Sequence, residues 1–184
     1  MGTAASRFLA SSLFIASRGA VASGDSAVSC LTPCGLYRRQ QMEATGSYLL
    51  PKPQGARCLC GAVRLRLLEP PLRMMHCHCS MCRRQGGGAF MTWAAYPDSA
   101  FEVLDGYGRM RKYNSSDFAN RTFCPKCGST ISLNYFEQRG TTWLAAGLID
   151  GDVGCCPDSH IMLNHKAPWF DLTENILHRF PEGG

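Results

Sequence analysis

The sequence lacks any run of eighteen or so consecutive apolar residues, which is the length that a membrane-spanning helix needs. We therefore predict no transmembrane span. Internal repeats and low-complexity segments are also absent. The 184 residues are 45% hydrophobic and only 18% charged. This composition indicates one ordinary globular domain with a tail, and the chain is long enough to build a core without disulfides.

Acidic residues are missing from the start of the chain, where the first one is Asp25 among several arginines and serines. Acid-poor leaders of this kind are typical of mitochondrial transit peptides. A secretory signal, a myristoylated Gly2 and a disordered extension that ends near Met42 are the alternatives that stay open. We predict a leader or disordered extension over residues 1–45, a folded domain over residues 46–184, and a mitochondrial or cytoplasmic location.

Long helical patterns are scarce, and short alternating segments take their place after about Tyr48. Such segments are typical of β-strands, and glycine, proline, asparagine and aspartate separate them. The predicted strands cover residues 62–67, 90–96, 101–104, 121–123, 131–135 and 141–149. The last of these is almost continuously apolar and is predicted to be buried. Helical turns are predicted only near residues 80–85 and 172–177, so the fold class is mainly β.

Cysteine, by contrast, is abundant, with eleven residues in the chain. An odd number does not suit a closed disulfide framework, although disulfides stay an alternative for a secreted protein. Seven of the cysteines fall into three clusters, which are Cys58 with Cys60, Cys77 with Cys79 and Cys82, and Cys124 with Cys127. Two thiolates with one or two residues between them can reach one Zn²⁺ from a tight turn, and Zn²⁺ takes four ligands in a tetrahedron. The clusters therefore predict a zinc protein.

Counting ligands divides these clusters between two zinc ions per chain. The two outer pairs together supply a closed, structural four-sulfur site, made of Cys58, Cys60, Cys124 and Cys127. The middle cluster supplies three ligands, Cys77, Cys79 and Cys82, and keeps a fourth position open. Three protein ligands with an exchangeable fourth are the arrangement of catalytic zinc. The alternative is that His76 or His78 closes the second site, which would then serve folding only.

Most of the positive net charge lies in the first 41 residues, so the rest of the chain has little. Of the formal charge of +5, residues 1–41 carry +3. Seven thiolates that bind two Zn²⁺ would bring the remainder from +2 to about −1. No basic stripe is left to neutralise phosphates, so we predict no nucleic-acid partner.

The residues around these clusters resemble a known family, the glutathione-dependent formaldehyde-activating enzymes, also called the CENP-V/GFA domain. The matching segments cover roughly residues 55–180 in the order of the family. They are Cys58-Leu59-Cys60-Gly61-Ala62-Val63, His76-Cys77-His78-Cys79-Ser80-Met81-Cys82-Arg83-Arg84, Gly88-Ala89-Phe90, Phe123-Cys124-Pro125-Lys126-Cys127-Gly128-Ser129, Ala146-Gly147-Leu148-Ile149-Asp150, Pro157-Asp158-Ser159-His160-Ile161 and Ala167-Pro168-Trp169-Phe170. Together the segments are highly specific.

The resemblance implies a fold of small coiled β-sheets of the Mss4-like, or β-tent, type. It implies the same zinc allocation as the ligand count, with the outer four cysteines structural and the middle three catalytic. The activity that it implies is condensation of glutathione with formaldehyde to S-hydroxymethylglutathione, a carbon–sulfur lyase reaction. Other members of the family carry the domain without this activity, and a zinc-stabilised binding or scaffold module of the centromere protein V type is the alternative function.

An open three-sulfur site suits that chemistry, because a thiol that coordinates a metal loses its proton and a thiolate can add to a small aldehyde. Zinc can also polarise the carbonyl group of the aldehyde. Arg83 and Arg84 follow the middle cluster and are predicted to bind the carboxylates of a glutathione-type thiol. Gly88, in a run of three glycines, is predicted to offer a backbone N–H. Solvated surface charges and a flexible turn are the alternatives for these residues.

Overall fold

Eleven strands, one α-helix and three short 3₁₀ turns make up the regular structure of the residues that the computed structural model describes. These residues are 54–105, 108, 110–172 and 178–182. The predicted leader lies outside them, and so do residues 46–53 of the predicted domain. Within the described part, no helix has both the length and the apolar character that crossing a bilayer requires.

The strands are short and follow one another closely along the chain. In order, the elements are β1 (Gln54–Arg57), β2 (Arg64–Leu67), β3 (Arg73–Cys77), α1 (Ser80–Gly86), β4 (Met91–Pro97), β5 (Phe101–Asp105), β6 (Arg111–Ser116), β7 (Ala119–Phe123), β8 (Thr130–Tyr135), β9 (Thr141–Ala145), β10 (Pro157–Ile161) and β11 (His178–Arg179). The 3₁₀ turns cover Asp98–Ala100, Ala146–Leu148 and Leu163–His165.

These strands form two sheets. The smaller sheet has the antiparallel order β1-β2-β5. The larger sheet has eight strands in the order β11-β10-β3-β4-β9-β8-β7-β6. Strand β10 runs parallel to both β3 and β11, while the other pairs in the described sheets are antiparallel. The predicted mainly β fold class is confirmed.

The core lies around β4, which is paired on both sides by β3 and β9. Its central residues are buried on both faces, as the nearly continuous apolar sequence requires of an interior strand. Trp93 and Tyr96 are among the largest fully buried side chains, and Leu144 of β9 joins them. Strand β2 has alternating burial, because Leu65 and Leu67 are buried while Arg64 and Arg66 are exposed.

The apolar run at residues 141–149 is not one strand, so this prediction is wrong in part. Strand β9 ends at Ala145, and a 3₁₀ turn over Ala146–Leu148 follows, in which the Ile149 N–H donates to the Ala146 carbonyl at 3.1 Å. Leu148 is buried in this turn. The residues beyond β9 are apolar because the turn packs on the core. An apolar run can therefore belong to a buried turn as well as to a buried strand.

The helix predicted near residues 80–85 is α1 and is confirmed. The helix predicted at residues 172–177 lies almost wholly outside the described residues. Strands β1, β3, β6, β10 and β11 are not predicted by hydrophobic alternation. Strand β6 reads Arg-Lys-Tyr-Asn-Ser-Ser and lies at an edge of the large sheet, mostly exposed. Its backbone pairing with β7 therefore forms without an apolar face that the sequence could reveal.

Candidate metal centres

The loop after β1 and the loop after β7 meet at a group of four sulfurs. Its members are Cys58, Cys60, Cys124 and Cys127, whose Sγ atoms all lie within 4.8 Å of one another. The Sγ atoms of Cys58 and Cys60 are 3.6 Å apart, and those of Cys60 and Cys124 are 3.8 Å apart. A tetrahedron with Zn–S bonds of about 2.3 Å has sulfur–sulfur edges of about 3.8 Å. This four-sulfur group therefore fits a zinc ion.

Tight turns present these sulfurs. Gly61 and Gly128 follow the two pairs and have φ angles of +70° and +77°, a region that favours glycine. The Gly128 N–H donates to the Cys124 carbonyl at 2.8 Å, and the Gly61 N–H donates to the Cys58 carbonyl at 2.9 Å. The Val63 N–H then reaches the Cys58 sulfur at 3.2 Å. The glycines thus allow turns in which cysteine side chains converge.

Ser129 joins the two loops from the side of the second pair. Its hydroxyl accepts from the Leu59 N–H at 3.0 Å and lies 3.3 Å from the Cys127 sulfur. Hydrogen bonds from the Ser129 side chain and backbone lower the pKa of Cys127 to about 5. A thiolate at Cys127 is therefore stable at neutral pH, as a metal ligand must be.

A second group of three sulfurs forms at the end of β3. Its members are Cys77, Cys79 and Cys82, with all Sγ atoms within 4.8 Å of one another. Cys77 is the last residue of β3, Cys79 caps α1, and Cys82 lies within α1. The Cys79 sulfur accepts from the Cys82 N–H at 3.3 Å. The strand end and the first turn of the helix therefore hold this three-sulfur group in place.

The three-sulfur group is more buried than the four-sulfur group. The exposed fractions are 7% for Cys77, 8% for Cys79 and 1% for Cys82. Hydrogen bonds from the Cys77 and Cys82 thiols, with the Cys82 N–H and the Arg121 charge, hold the pKa of Cys79 well below its ordinary value. Hydrogen bonds to the Cys79 and Cys82 sulfurs raise the pKa of Cys77, because its thiol is the donor. The group thus carries negative charge at neutral pH and suits a soft divalent ion.

Neither histidine of the middle cluster belongs to the three-sulfur group. His76 Nδ1 lies 2.9 Å from the Thr92 hydroxyl, and His78 Nε2 lies 2.7 Å from His160 Nδ1. Among the described residues, the metal-binding group at this place consists of the three cysteines alone. The structure therefore does not favour the alternative in which His76 or His78 closes the second site.

The histidines instead form an aromatic cluster with two phenylalanines. We call this the histidine–phenylalanine cluster, and its members are His76, His78, His160, Phe90 and Phe170. His78 and His160 are fully buried. Burial, with the neighbouring His160, lowers the pKa of both His76 and His78 to about 4. Their rings are thus neutral at pH 7.

The predicted substrate-binding residues lie at the far end of α1. Arg83 and Arg84 stand in its last turn, where Arg83 is half-buried and Arg84 is exposed. Burial and His160 are the main causes of the low pKa of His78, but the charges of Lys166 and Arg83 contribute to it. Arg83 therefore lies near the histidine–phenylalanine cluster. Its Nε is buried without a hydrogen-bond partner in the described part of the chain.

The glycine run ends the helix and turns the chain toward β4. Gly87 is the C-cap with a φ angle of +67°, and its N–H donates to the Arg83 carbonyl at 2.8 Å. At Gly86 an added Cβ would come within 2.7 Å of the Met91 side chain. Gly88 is half-buried, and a role for its N–H in binding substrate stays a prediction.

Two residues that sequence analysis placed in strands without any site role contact the three-sulfur group. Trp93 Nε1 donates to the Cys82 sulfur at 3.4 Å, and Arg121 Nη2 reaches the same sulfur at 3.5 Å. They are 11 and 39 residues away from Cys82 along the chain. No local pattern could have indicated them, because the pairing of β7, β8, β9 and β4 brings them together.

The part of the chain that contains both sulfur groups is similar to known proteins. A family model described as "Glutathione-dependent formaldehyde-activating enzyme" matches residues 53–165, which is more than half of the chain. The chain belongs to this family. The resemblance seen in the sequence is thereby confirmed, and the match spans all seven cysteines of the two sulfur groups.

Two curated relatives have names in keeping with the family. One, from Schizosaccharomyces pombe, is called an uncharacterized lyase and is 28% identical over 67% of this chain and 88% of its own length. The other, from Halomonas elongata, is provisionally named as a glutathione-dependent formaldehyde-activating enzyme. It is 30% identical over 62% of this chain and 78% of its own length. Among solved structures, a Rhodobacter sphaeroides protein is similar, at 24% identity and a TM-score of 0.46, over 53% of this chain and 89% of that one.

Proposed function

We propose that this protein is a zinc-dependent carbon–sulfur lyase that condenses a glutathione-type thiol with formaldehyde or a related small aldehyde. The observation that carries the proposal is the difference between the two sulfur groups. Four sulfurs complete a tetrahedron, whereas Cys77, Cys79 and Cys82 leave one position for an exchangeable ligand. The names of the family and of both relatives support this reaction class.

The proposed reaction is an addition that consumes only the thiol and the aldehyde. A bond forms between the thiol sulfur and the carbonyl carbon, the carbonyl π electrons move to oxygen, and the thiol proton ends on that oxygen. When bound, zinc supplies Lewis acidity that lowers the pKa of a thiol and polarises a carbonyl. Cys77, Cys79 and Cys82 would hold the ion.

The four-sulfur group has a different proposed role, which is to hold a structural zinc ion between the two loops. All four positions of the tetrahedron are then filled by protein sulfurs, so no substrate can enter. Two zinc ions per chain follow from the two groups together.

Metal stoichiometry tests the proposal directly. We expect two zinc ions per chain in the unaltered protein and one in Cys79→Ser, because the variant leaves two sulfurs at the open group. The thiol–aldehyde exchange rate, followed by NMR with glutathione and formaldehyde, should then fall to the uncatalysed rate. A single metal ion per unaltered chain would sink the proposal. Two metal ions with a Co²⁺ spectrum that glutathione does not change would favour the scaffold module instead.

Arg83 gives a separate prediction about the substrate. A guanidinium that binds a substrate carboxylate strengthens binding of glutathione but not of a small neutral thiol. We expect Arg83→Gln to raise the KM for glutathione about tenfold, which corresponds to a loss of ~1.4 kcal/mol, and to leave 2-mercaptoethanol unaffected. Arg84→Gln is the matched comparison, and its effect should be smaller because Arg84 is exposed. Equal losses with both thiols would show that Arg83 acts on the fold instead.

A further inference from the structure

Arg121 is a buried arginine in the middle of β7, with only 5% of its surface exposed. Each nitrogen of its guanidinium has a polar partner. Nε donates to the Ser115 hydroxyl at 3.2 Å, Nη1 donates to the Gln85 side-chain carbonyl, and Nη2 reaches the Cys82 sulfur at 3.5 Å. The Trp93 ring lies beneath it, with 5.7 Å between the guanidinium carbon and the ring centroid.

Among the described residues, no carboxylate forms an ion pair with this buried charge. The ion pairs among the described residues join Arg57 to Asp150, Arg66 to Glu102 and Arg73 to Asp158. Arg121 takes part in none of them, and its oxygen partners are a hydroxyl and an amide. A buried cation is costly unless an anion compensates it. The three-sulfur group is the anionic partner that Arg121 contacts in this part of the structure.

The charge of the three-sulfur group explains why it needs a cation. Three thiolates with one divalent ion carry a net charge of about −1, and a fourth, thiolate ligand would make it about −2. A fixed positive charge next to the group favours entry of that fourth anion. At the four-sulfur group, by contrast, no charged side chain of the described residues donates to a sulfur, and the polar partners of the sulfurs are backbone N–H groups and the Ser129 hydroxyl.

We infer that Arg121 is the counter-charge of the three-sulfur group and, through its contact with Cys82, enables that group to accept an anionic thiol as its fourth ligand. The inference rests on the proposed function, because it needs a divalent ion at this group. Arg121 is a positioning residue, since it acts through Cys82. Trp93 adds a neutral N–H to the same sulfur. Both hydrogen bonds draw electron density from Cys82 and leave the bound ion more electrophilic.

The test uses the full-length protein loaded with Co²⁺ and the small neutral thiol 2-mercaptoethanol at pH 7. Removing an outer partner of a metal ligand typically changes affinity by about 10- to 100-fold. We expect Arg121→Gln to weaken thiol binding at least about tenfold and to move the sulfur-to-cobalt charge-transfer bands to longer wavelength. Arg121→Lys, which keeps the charge, should restore most of the thiol affinity. Arg111→Gln removes an exposed charge from neighbouring β6 and should change neither quantity.

Different results would refute the proposed function and the role of Arg121. One metal ion per unaltered chain would refute the proposed function itself. Two metal ions, with thiol affinity in Arg121→Gln within twofold of the unaltered protein, would overturn the role of Arg121 alone. If Arg121→Gln does not fold, Arg121→Met replaces it, because methionine is of similar length, can pack on Trp93 and carries no charge. A thiol affinity within twofold of the unaltered protein would then refute the inference, and a loss of about tenfold or more would support it.

Discussion

Replacing Cys124 by serine should leave the domain unfolded under conditions in which the unaltered protein is folded. Cys124 is 1% exposed, and its group joins the loop after β1 to the loop after β7. Structural zinc in small domains contributes an apparent ~10–16 kcal/mol, whereas whole domains have a net stability of about 5–15 kcal/mol. The free energy lost with the proposed structural ion would therefore equal or exceed the free energy of unfolding of the domain. Circular dichroism on heating, together with metal analysis, measures the effect.

Cys79→Ser is the matched control for this experiment, because it changes a buried cysteine of the other group. We expect it to stay folded with one zinc ion, since the four-sulfur group is intact. A Cys124→Ser protein that melts at the same temperature as Cys79→Ser would contradict the structural role. It would show that the two groups contribute equally to folding.

Trp93→Ala should lower the free energy of unfolding by about 3–5 kcal/mol, as large-to-small changes at buried aromatic residues do. The Trp93 side chain is 1% exposed and lies in β4, the strand paired on both sides in the large sheet. Alanine at this position leaves a cavity beneath Arg121 and next to Cys82. Denaturant unfolding followed by circular dichroism gives the free energy.

Trp169→Ala provides the comparison, because the same side chain is there 70% exposed. Its free energy of unfolding should stay within about 0.5 kcal/mol of the unaltered value. If the two variants were equally stable, the packing of Trp93 against the three-sulfur group would not contribute to stability as described.

Much of the fold could be predicted from local patterns. The alternation at Leu65 and Leu67 is reproduced as a strand with one buried face, and the helical turn predicted near residues 80–85 is α1. Hydrophobic patterns failed to predict the backbone where a buried residue is not in a strand or a strand is not buried. Leu148 is apolar because it is buried in a turn, and β6 is polar because it forms an edge. Hydrophobicity reports the burial of a side chain and carries no direct information on either arrangement.

The grouping of cysteines could also be anticipated, since ligand number and spacing restrict how seven thiolates share tetrahedral ions. Arg121 and His160 could not. Arg121 reaches Cys82 across 39 residues, and His160 reaches His78 across 82 residues. Both contacts depend on the order of strands in the large sheet, which no single segment encodes. Sequence analysis therefore found the candidate ligands but missed the residues that surround them.

The parallel pairing of β10 with β3 has a consequence for how the protein matures on the ribosome. The four-sulfur group draws only on residues 58–127, so its two loops can meet while the rest of the chain is still being synthesised. The histidine–phenylalanine cluster needs His160 from β10, and β10 pairs in turn with β11 at residues 178–179. Chains emerge from the N-terminus. A nascent chain can thus bring the four sulfurs together first, and the histidine–phenylalanine cluster forms only after β10 has been synthesised.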